Sequence, residues 1–477
     1  MLLVFIALYL IATLLIGWWA SKRVRSAADF AVAGKRLPTF MVACALFATW
    51  FGSETVMGAS SEFIGDKGGI LAVIEDPFGA SLCLLLAGLL IARPLYRLNL
   101  LTFSDYFRLR FNRSAEVVSA LVMAPSYFSW ITAQLVALAT VLQAVSGLER
   151  DWGVVICTLL VLFYTYIGGM WAVAITDFVQ TLIIIAGMAA LAVDLTMQAG
   201  GIGPLVDTAP EGFFRFFPEA DSGAAMGWLA AWMTIGLGGL PQQDIFQRIM
   251  AGKSLQTAVR ACYISSGMYF SIALLPLLIA YCGKYLYPEL AQGDLQMLLP
   301  SVVMQHTSLG MQVLFFGALL SAILSTASGA MLAPATVIGE NLIKPFFRKI
   351  TDAQLLRLMR FAVVLVALVT GGMALARDNI YELVGESSAF SLVALFIPLM
   401  GGIYWKKTSP FGAMAGMLAG LAGWLLAQWT EPWRGGIWLE IPAVFYGLAA
   451  NILALVMGSF LRPENRVEDL EGGEQRV

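Results

Sequence analysis

The sequence predicts an all-α polytopic membrane protein of about 13 transmembrane helices, with a core of two inverted five-helix repeats. Three observations predict it: the composition, the run of apolar windows, and two glycine-rich interruptions five windows apart. Hydrophobic residues make up 59% of the chain and charged residues 13%, and mean hydropathy is +0.79. These values exclude a soluble enzyme of this length and a disordered chain.

Apolar windows of roughly 20 residues fall near 2–20, 39–63, 70–93, 116–147, 153–168, 171–198, 225–241, 258–283, 309–337, 359–376, 381–404, 411–428 and 440–461. The first has no basic region before it and no small-residue cleavage site after it, so it reads as a retained span. With the N-terminus outside, 23 of the 29 basic residues fall in inside segments, among them Arg23, Arg110, Arg248, Lys253, Arg348, Lys406 and Arg466. That asymmetry predicts a multi-pass protein of the cell (inner or plasma) membrane with its C-terminus cytoplasmic. The whole of 1–461 reads as one transmembrane domain and 462–477 as a short solvated tail. The outside loops near 199–224 and 284–308 have room for short surface helices. Cys44, Cys83, Cys157, Cys262 and Cys282 lie in apolar windows without metal spacing and read as free buried thiols.

The second window admits Thr49, Gly52, Ser53, Glu54, Thr55 and Gly58 at mid-membrane depth. Backbone released there is tolerated only where protein or a water-filled cavity satisfies it, so a break predicts a site. The alternative is a glycine-rich packing face. The seventh window is interrupted by Gly236, Gly238, Gly239 and Pro241. Two broken helices five apart imply repeats of spans 2–6 and 7–11, and an odd number of spans inverts the second copy.

Span 9 holds Ala322, Ser325, Thr326 and Ser328. On a helix Ala322, Ser325 and Thr326 share one face, so a carbonyl and two hydroxyls can face one point. With freed carbonyls at Gly52 and Thr55 they would suit Na+, a hard cation that prefers oxygen. The same hydroxyls could instead bond back to their own helix. Between spans 5 and 6, Gly168-Gly169 turns the chain and delivers Asp177 back into the membrane. A carboxylate at that depth marks a site by default, or an interhelical hydrogen bond made as a neutral acid.

These residues are recognisable. Tyr164-Thr165, Gly168-Gly169, Ala172-Val173, Thr176-Asp177 and Gln180, with Ala48 to Thr55 and Ala322 to Thr326, resemble the sodium:solute symporter family over about residues 1–461. The resemblance implies the LeuT-type fold and a main sodium site made of Gly52, Thr55, Ala322, Ser325 and Thr326. Asp177 and Ser328 match a second sodium site found in some members, or a proton site, but Gly329 stands where a further hydroxyl is expected. The nearest subgroup is choline-transporter-like, through Ala48-Thr49-Trp50, Leu237 to Pro241 and Phe246-Gln247-Arg248. Trp50 and Trp130 occupy two positions of its aromatic cage. Ala80, Gln242 and Val384 replace other cage aromatics, which argues against choline, since a quaternary ammonium is held by ring faces.

Glu54, Glu75, Asp76 and Asp244 sit in or beside the expected cavity helices with no basic residue at similar depth. They favour a cationic or amine-bearing solute or proton involvement; otherwise Glu75 and Asp76 lie at a wet mouth before Pro77. The expected substrate set is Trp50, Glu54, Glu75, Asp76, Trp130, Gln242 and Asp244. The lone His306 falls in an outer loop. The functional expectation is sodium-coupled symport of a small polar solute across the lipid bilayer. A proton-coupled carrier and a transporter-like sensor are the alternatives, although the short tail supplies no signalling domain. No nucleophile, metal cluster or phosphate loop suggests an enzyme, and nothing calls for nucleic acid.

Overall fold

The computed structural model describes residues 2–219, 221–347, 349–431 and 440–463. The expected tail from 464 onward and Arg348 of the charge count lie outside them. All regular structure among the described residues is helical. Eleven helices are long and apolar enough to cross a membrane, and two bent pairs bring the number to 13.

The spans run in the expected order. Span 1 is Leu2–Ser21, span 2 is Thr39–Trp50 with Glu54–Ile64, span 3 is Ile70–Tyr96 and span 4 is Arg113–Ser146. Spans 5 and 6 are Arg150–Ile167 and Gly169–Gln198, and span 7 is Gly223–Gly238 with Gln243–Ala251. Spans 8 to 13 are Leu255–Leu286, Leu309–Phe346, Asp352–Ala374, Ile380–Tyr404, Pro410–Thr430 and Ala443–Leu461. Side-chain caps fix several starts: Asn112, Ser254, Ser308, Thr351 and Ser409 each accept an amide from the first turn.

Spans 2 and 7 bend by 51° and 47°, where glycine and small polar residues interrupt each apolar run. These paired breaks, five spans apart, are the signature of the LeuT-type inverted-repeat core. One boundary differs from the sequence reading in a way that matters. Span 7 does not stop near 241 but resumes as Gln243–Ala251, so Arg248, counted as a loop residue, is 1% exposed inside the bundle.

Span 9 is the axis, with 89% of its apolar window buried. Spans 4, 6 and 10 pack around it. The turn between spans 5 and 6 requires glycine: Gly169 has φ 53°, and a Cβ there would lie 2.5 Å from the Phe30 ring. Spans 12 and 13 pair through small residues such as Gly412 and Gly416. Asn451 of span 13 donates to the Val393 and Ala394 carbonyls at 2.6 and 3.2 Å, where span 11 passes through a wide turn at Leu392–Phe396.

The loops hold short helices at Ile202–Asp207 and Leu298–His306, and His306 stacks on Tyr287 with ring centroids 3.6 Å apart. All five cysteines are free and buried.

Candidate functional site

The break in span 2 begins at backbone level. The Gly52 amide turns to Trp50 O (2.8 Å) rather than continuing the ladder to Ala48 O, and the Ser53 amide takes Gln134 Oε1 of span 4 (3.1 Å). Ala48 O, released from the ladder, accepts from Thr326 Oγ1 of span 9 at 3.0 Å. Only glycine fits at the bend, because a Cβ on Gly52 would lie 2.8 Å from both Gln134 Oε1 and Thr326 Oγ1.

The carbonyl offered to the span 9 hydroxyls is therefore Ala48's. The Gly52 carbonyl accepts the Val56 amide (3.2 Å). At Thr55 the expectation concerns the carbonyl; its hydroxyl lies 3.1 Å from Trp50 O of the same span and 2.6 Å from both Asp76 Oδ2 and Tyr269 OH. Ala322, Ser325 and Thr326 are all buried on span 9. Ser325 Oγ donates to Asp177 Oδ1, so Asp177 does reach the hydroxyl cluster. Ser328 Oγ bonds back to Ser325 O (2.9 Å). A freed carbonyl, two hydroxyls and a carboxylate form a hard-oxygen donor set of the kind sodium prefers.

Arg248 changes the picture at Asp177. Its Nη2 is 3.9 Å from Asp177 Oδ2, Nε donates to Ala45 O at 2.9 Å and Nη1 to Asp244 O at 3.2 Å. A Cβ on Gly329 would meet Nη2 at 2.4 Å. The expectation that Glu54, Glu75, Asp76 and Asp244 have no basic residue at their depth is corrected for Asp244, whose carbonyl accepts from Arg248; the same guanidinium also faces Asp177.

On the other side of the same break lies a nearly closed cavity of about 10 Å³, room for little more than one water. Five of the seven expected substrate residues line it: Trp50, Glu54, Asp76, Trp130 and Gln242. Ala80 and Val384 line it too, as do Ile235, Tyr269 and Ser388, which the sequence did not single out. Glu54 is held by neutral donors, Trp130 Nε1 (3.1 Å) and Gln134 Nε2 (2.6 Å). Tyr269 OH reaches Trp50 O at 3.1 Å, joining span 8 to the break.

Asp244 and Glu75 do not line the cavity. Asp244 accepts from Tyr127 OH and stands beside Arg248, while half-buried Glu75 faces Gly385 of span 11. A wider depression lined by Ser61, Glu62, Gln143, Arg150 and Asp294 opens on the face where span 2 ends. On the opposite face the chain is tied shut. Leu37 exchanges backbone hydrogen bonds with Ala251 (3.0 Å) and Lys253 (2.9 Å), and Tyr96 OH donates to Gly252 O (2.7 Å).

Two broken spans around an axial helix, with a polar pocket at the break, define a secondary transporter of the inverted-repeat class. The sodium:solute symporter family matches residues 30–420. This chain belongs to that family, whose members are transporters and not enzymes. It is 25% identical to the human high affinity choline transporter 1, over 93% of this chain and 78% of that protein. It is 27% identical to the osmoregulated proline transporter OpuE of Bacillus subtilis, over 94% and 93% of the two chains. A solved Na+-coupled sialic acid symporter in a substrate-bound outward-open state shares the fold with a TM-score of 0.81, at 20% identity over 97% of this chain and 99% of that one.

Proposed function

We propose that this protein couples the entry of one sodium ion to the uptake of a small polar solute by alternating access. The observation that carries the reading is that one break in span 2 serves two sites. Ala48 O turns to Thr326 on one side, and Trp50 and Glu54 face the cavity on the other. Oxygen ligation at Ala48, Ala322, Ser325 and Thr326 would pin span 2 to span 9 and with it set the walls of the solute cavity. Binding at either site then favours binding at the other, as linkage requires.

Arg248 supports a single ion, because its guanidinium already faces the Asp177 oxygen that a second cation would use. The driving force suffices: roughly 2.3 kcal/mol per charge per 100 mV, with about 1.4 kcal/mol more for a tenfold gradient. One ion could sustain accumulation of a neutral solute on the order of hundreds of times. We place the protein in the cell membrane with the N-terminus outside, so that the depression beside Glu62 and Arg150 is the entrance.

The test is solute uptake by proteoliposomes, with sodium replaced by potassium or N-methylglucamine. Uptake should collapse without sodium. Uptake that persists and instead follows an imposed pH gradient would establish a proton-coupled carrier in its place.

A further inference from the structure

The cavity is nearly closed in this structure, and the polar atoms lining it describe the solute it would widen to hold. Two buried acceptors there have no hydrogen-bond partner: Asp76 Oδ1 and Gln242 Oε1. An orphaned buried acceptor is costly, and more so when it carries charge. The cavity also holds two carboxylates, Glu54 and Asp76, and no lysine, arginine or histidine lines it. Asp177 has Arg248 opposite it, whereas Glu54 and Asp76 receive only neutral donors from Trp130, Gln134 and Thr55.

From this we infer that the transported solute is a small organic ammonium ion carrying at least two N–H donors, without a carboxylate of its own. The inference rests on the symport reading above and names the substrate class for that site. A primary or secondary ammonium supplies the missing positive charge and gives one N–H to Asp76 Oδ1 and another to Gln242 Oε1. Its carbon skeleton lies against Trp50, Trp130 and Tyr269, whose ring faces favour a cation. A quaternary ammonium neutralises the charge but leaves both acceptors unmet, because it has no N–H. Ring faces cannot close around it either, since Ala80, Val384 and Gln242 form the remaining walls. A zwitterion or carboxylate brings further negative charge beside two carboxylates with no base to receive it.

The experiment is a methylation series on one skeleton. In ethanolamine, N-methylethanolamine, N,N-dimethylethanolamine and choline each step replaces one N–H donor with a methyl group, and the Gln242→Leu and Asp76→Asn variants separate lost donors from added bulk. Each compound is titrated by thermal shift against the purified full-length protein in sodium buffer, beside proline and propionate. Apparent affinity should fall along the series, with choline at least about tenfold weaker than ethanolamine, and proline and propionate should not bind. Gln242→Leu should weaken ethanolamine and leave choline unchanged, and Asp76→Asn should flatten the series. Choline binding as tightly as ethanolamine, proline or propionate binding in preference, or no ammonium binding at all would overturn the inference. Radiolabelled sodium binding to the same preparation separates the two claims. Sodium bound with the wrong solute preference removes only the substrate class, and absent sodium binding removes the symport reading.

Discussion

The guanidinium of Arg248 stands where a side chain on Gly329 would have to go, 2.4 Å from the position of its Cβ. The same group lies 3.9 Å from Asp177 Oδ2, so a fixed positive charge occupies the neighbourhood in which a second sodium would seek that carboxylate. Missing hydroxyl and resident cation are one arrangement: removing the side chain at 329 makes the room that Arg248 fills. The expected sodium-to-solute flux ratio is about one, measured with both isotopes in the same vesicles. A ratio of two would mean that Arg248 leaves Asp177 during the cycle. Gly329→Ser should lower expression and thermal stability, because the displaced guanidinium must give up its place beside Asp177 and strain its bonds to the Ala45 and Asp244 carbonyls.

A buried ion pair broken on one side leaves an uncompensated charge, which costs about 3–5 kcal/mol. Arg248→Gln and Asp177→Asn should each lower the melting temperature in detergent strongly, and the double variant should recover much of the loss. Strictly additive losses would show that the two side chains do not interact. Arg248→Lys should not restore the single-variant loss, since an ammonium cannot reach Ala45 O, Asp244 O and Asp177 together.

At the proposed sodium site, Ser325→Ala with Thr326→Ala should raise the sodium concentration for half-maximal transport by about tenfold or more. Unchanged sodium dependence would remove both hydroxyls from the site. The matching control is Thr55→Val. It should leave sodium dependence nearly intact and disturb solute affinity, because its hydroxyl serves Asp76 and Tyr269 rather than span 9.

That contrast marks where sequence reading succeeds and where it stops. Hydropathy locates all 13 spans found among the described residues but misses the end of span 7, and glycines at depth mark both breaks, because both signals are local. The hydroxyls of Ser325 and Thr326 are legible because helical spacing puts them on one face. Which carbonyl a break frees is not legible. It depends on where one amide turns, here Gly52 N to Trp50 O, so the freed oxygen belongs to Ala48 and not to the glycine that attracts notice. Tyr269 and Gln134 carry no signal of their own in ordinary apolar helices. Arg248 reads as a loop cation because the second half of span 7 is too short and polar to register as membrane-embedded.

Of two acids expected in the substrate set, Asp76 lines the cavity and Asp244 does not. Asp244 follows the second break and reads as a substrate residue, yet it accepts from Tyr127 and stands beside Arg248, outside the cavity. Asp244→Asn should therefore change the Michaelis constant for solute less than about threefold, whereas Asp76→Asn should raise it about tenfold or more. The reverse ranking in a transport assay would return Asp244 to the binding site.

In the orientation proposed above, the face carrying Lys35 and Lys253 opens for release, and backbone bonds at Leu37 and one tyrosine hydroxyl help to close it. Leu37 is hydrogen-bonded to Ala251 and Lys253 through backbone groups that no substitution deletes cleanly. Tyr96 is the side chain that can be removed: its hydroxyl alone ties span 3 to Gly252 O at 2.7 Å. Tyr96→Phe deletes one hydrogen bond worth about 1 kcal/mol, which shifts a two-state balance by about fivefold toward the state open on that face. A cysteine placed at Ser388 in the cavity wall, in a background lacking the native thiols, reports this shift. An impermeant thiol reagent applied from that face should label it several times faster with Tyr96→Phe than without, and saturating sodium should reduce the difference if the proposed ligation at Ala48 and Thr326 favours the opposite state. Equal labelling rates would show that the closure is held elsewhere, in the side-chain bonds of Asn341 to Asp105 and Glu116 or of Arg110 to the Gly402 carbonyl.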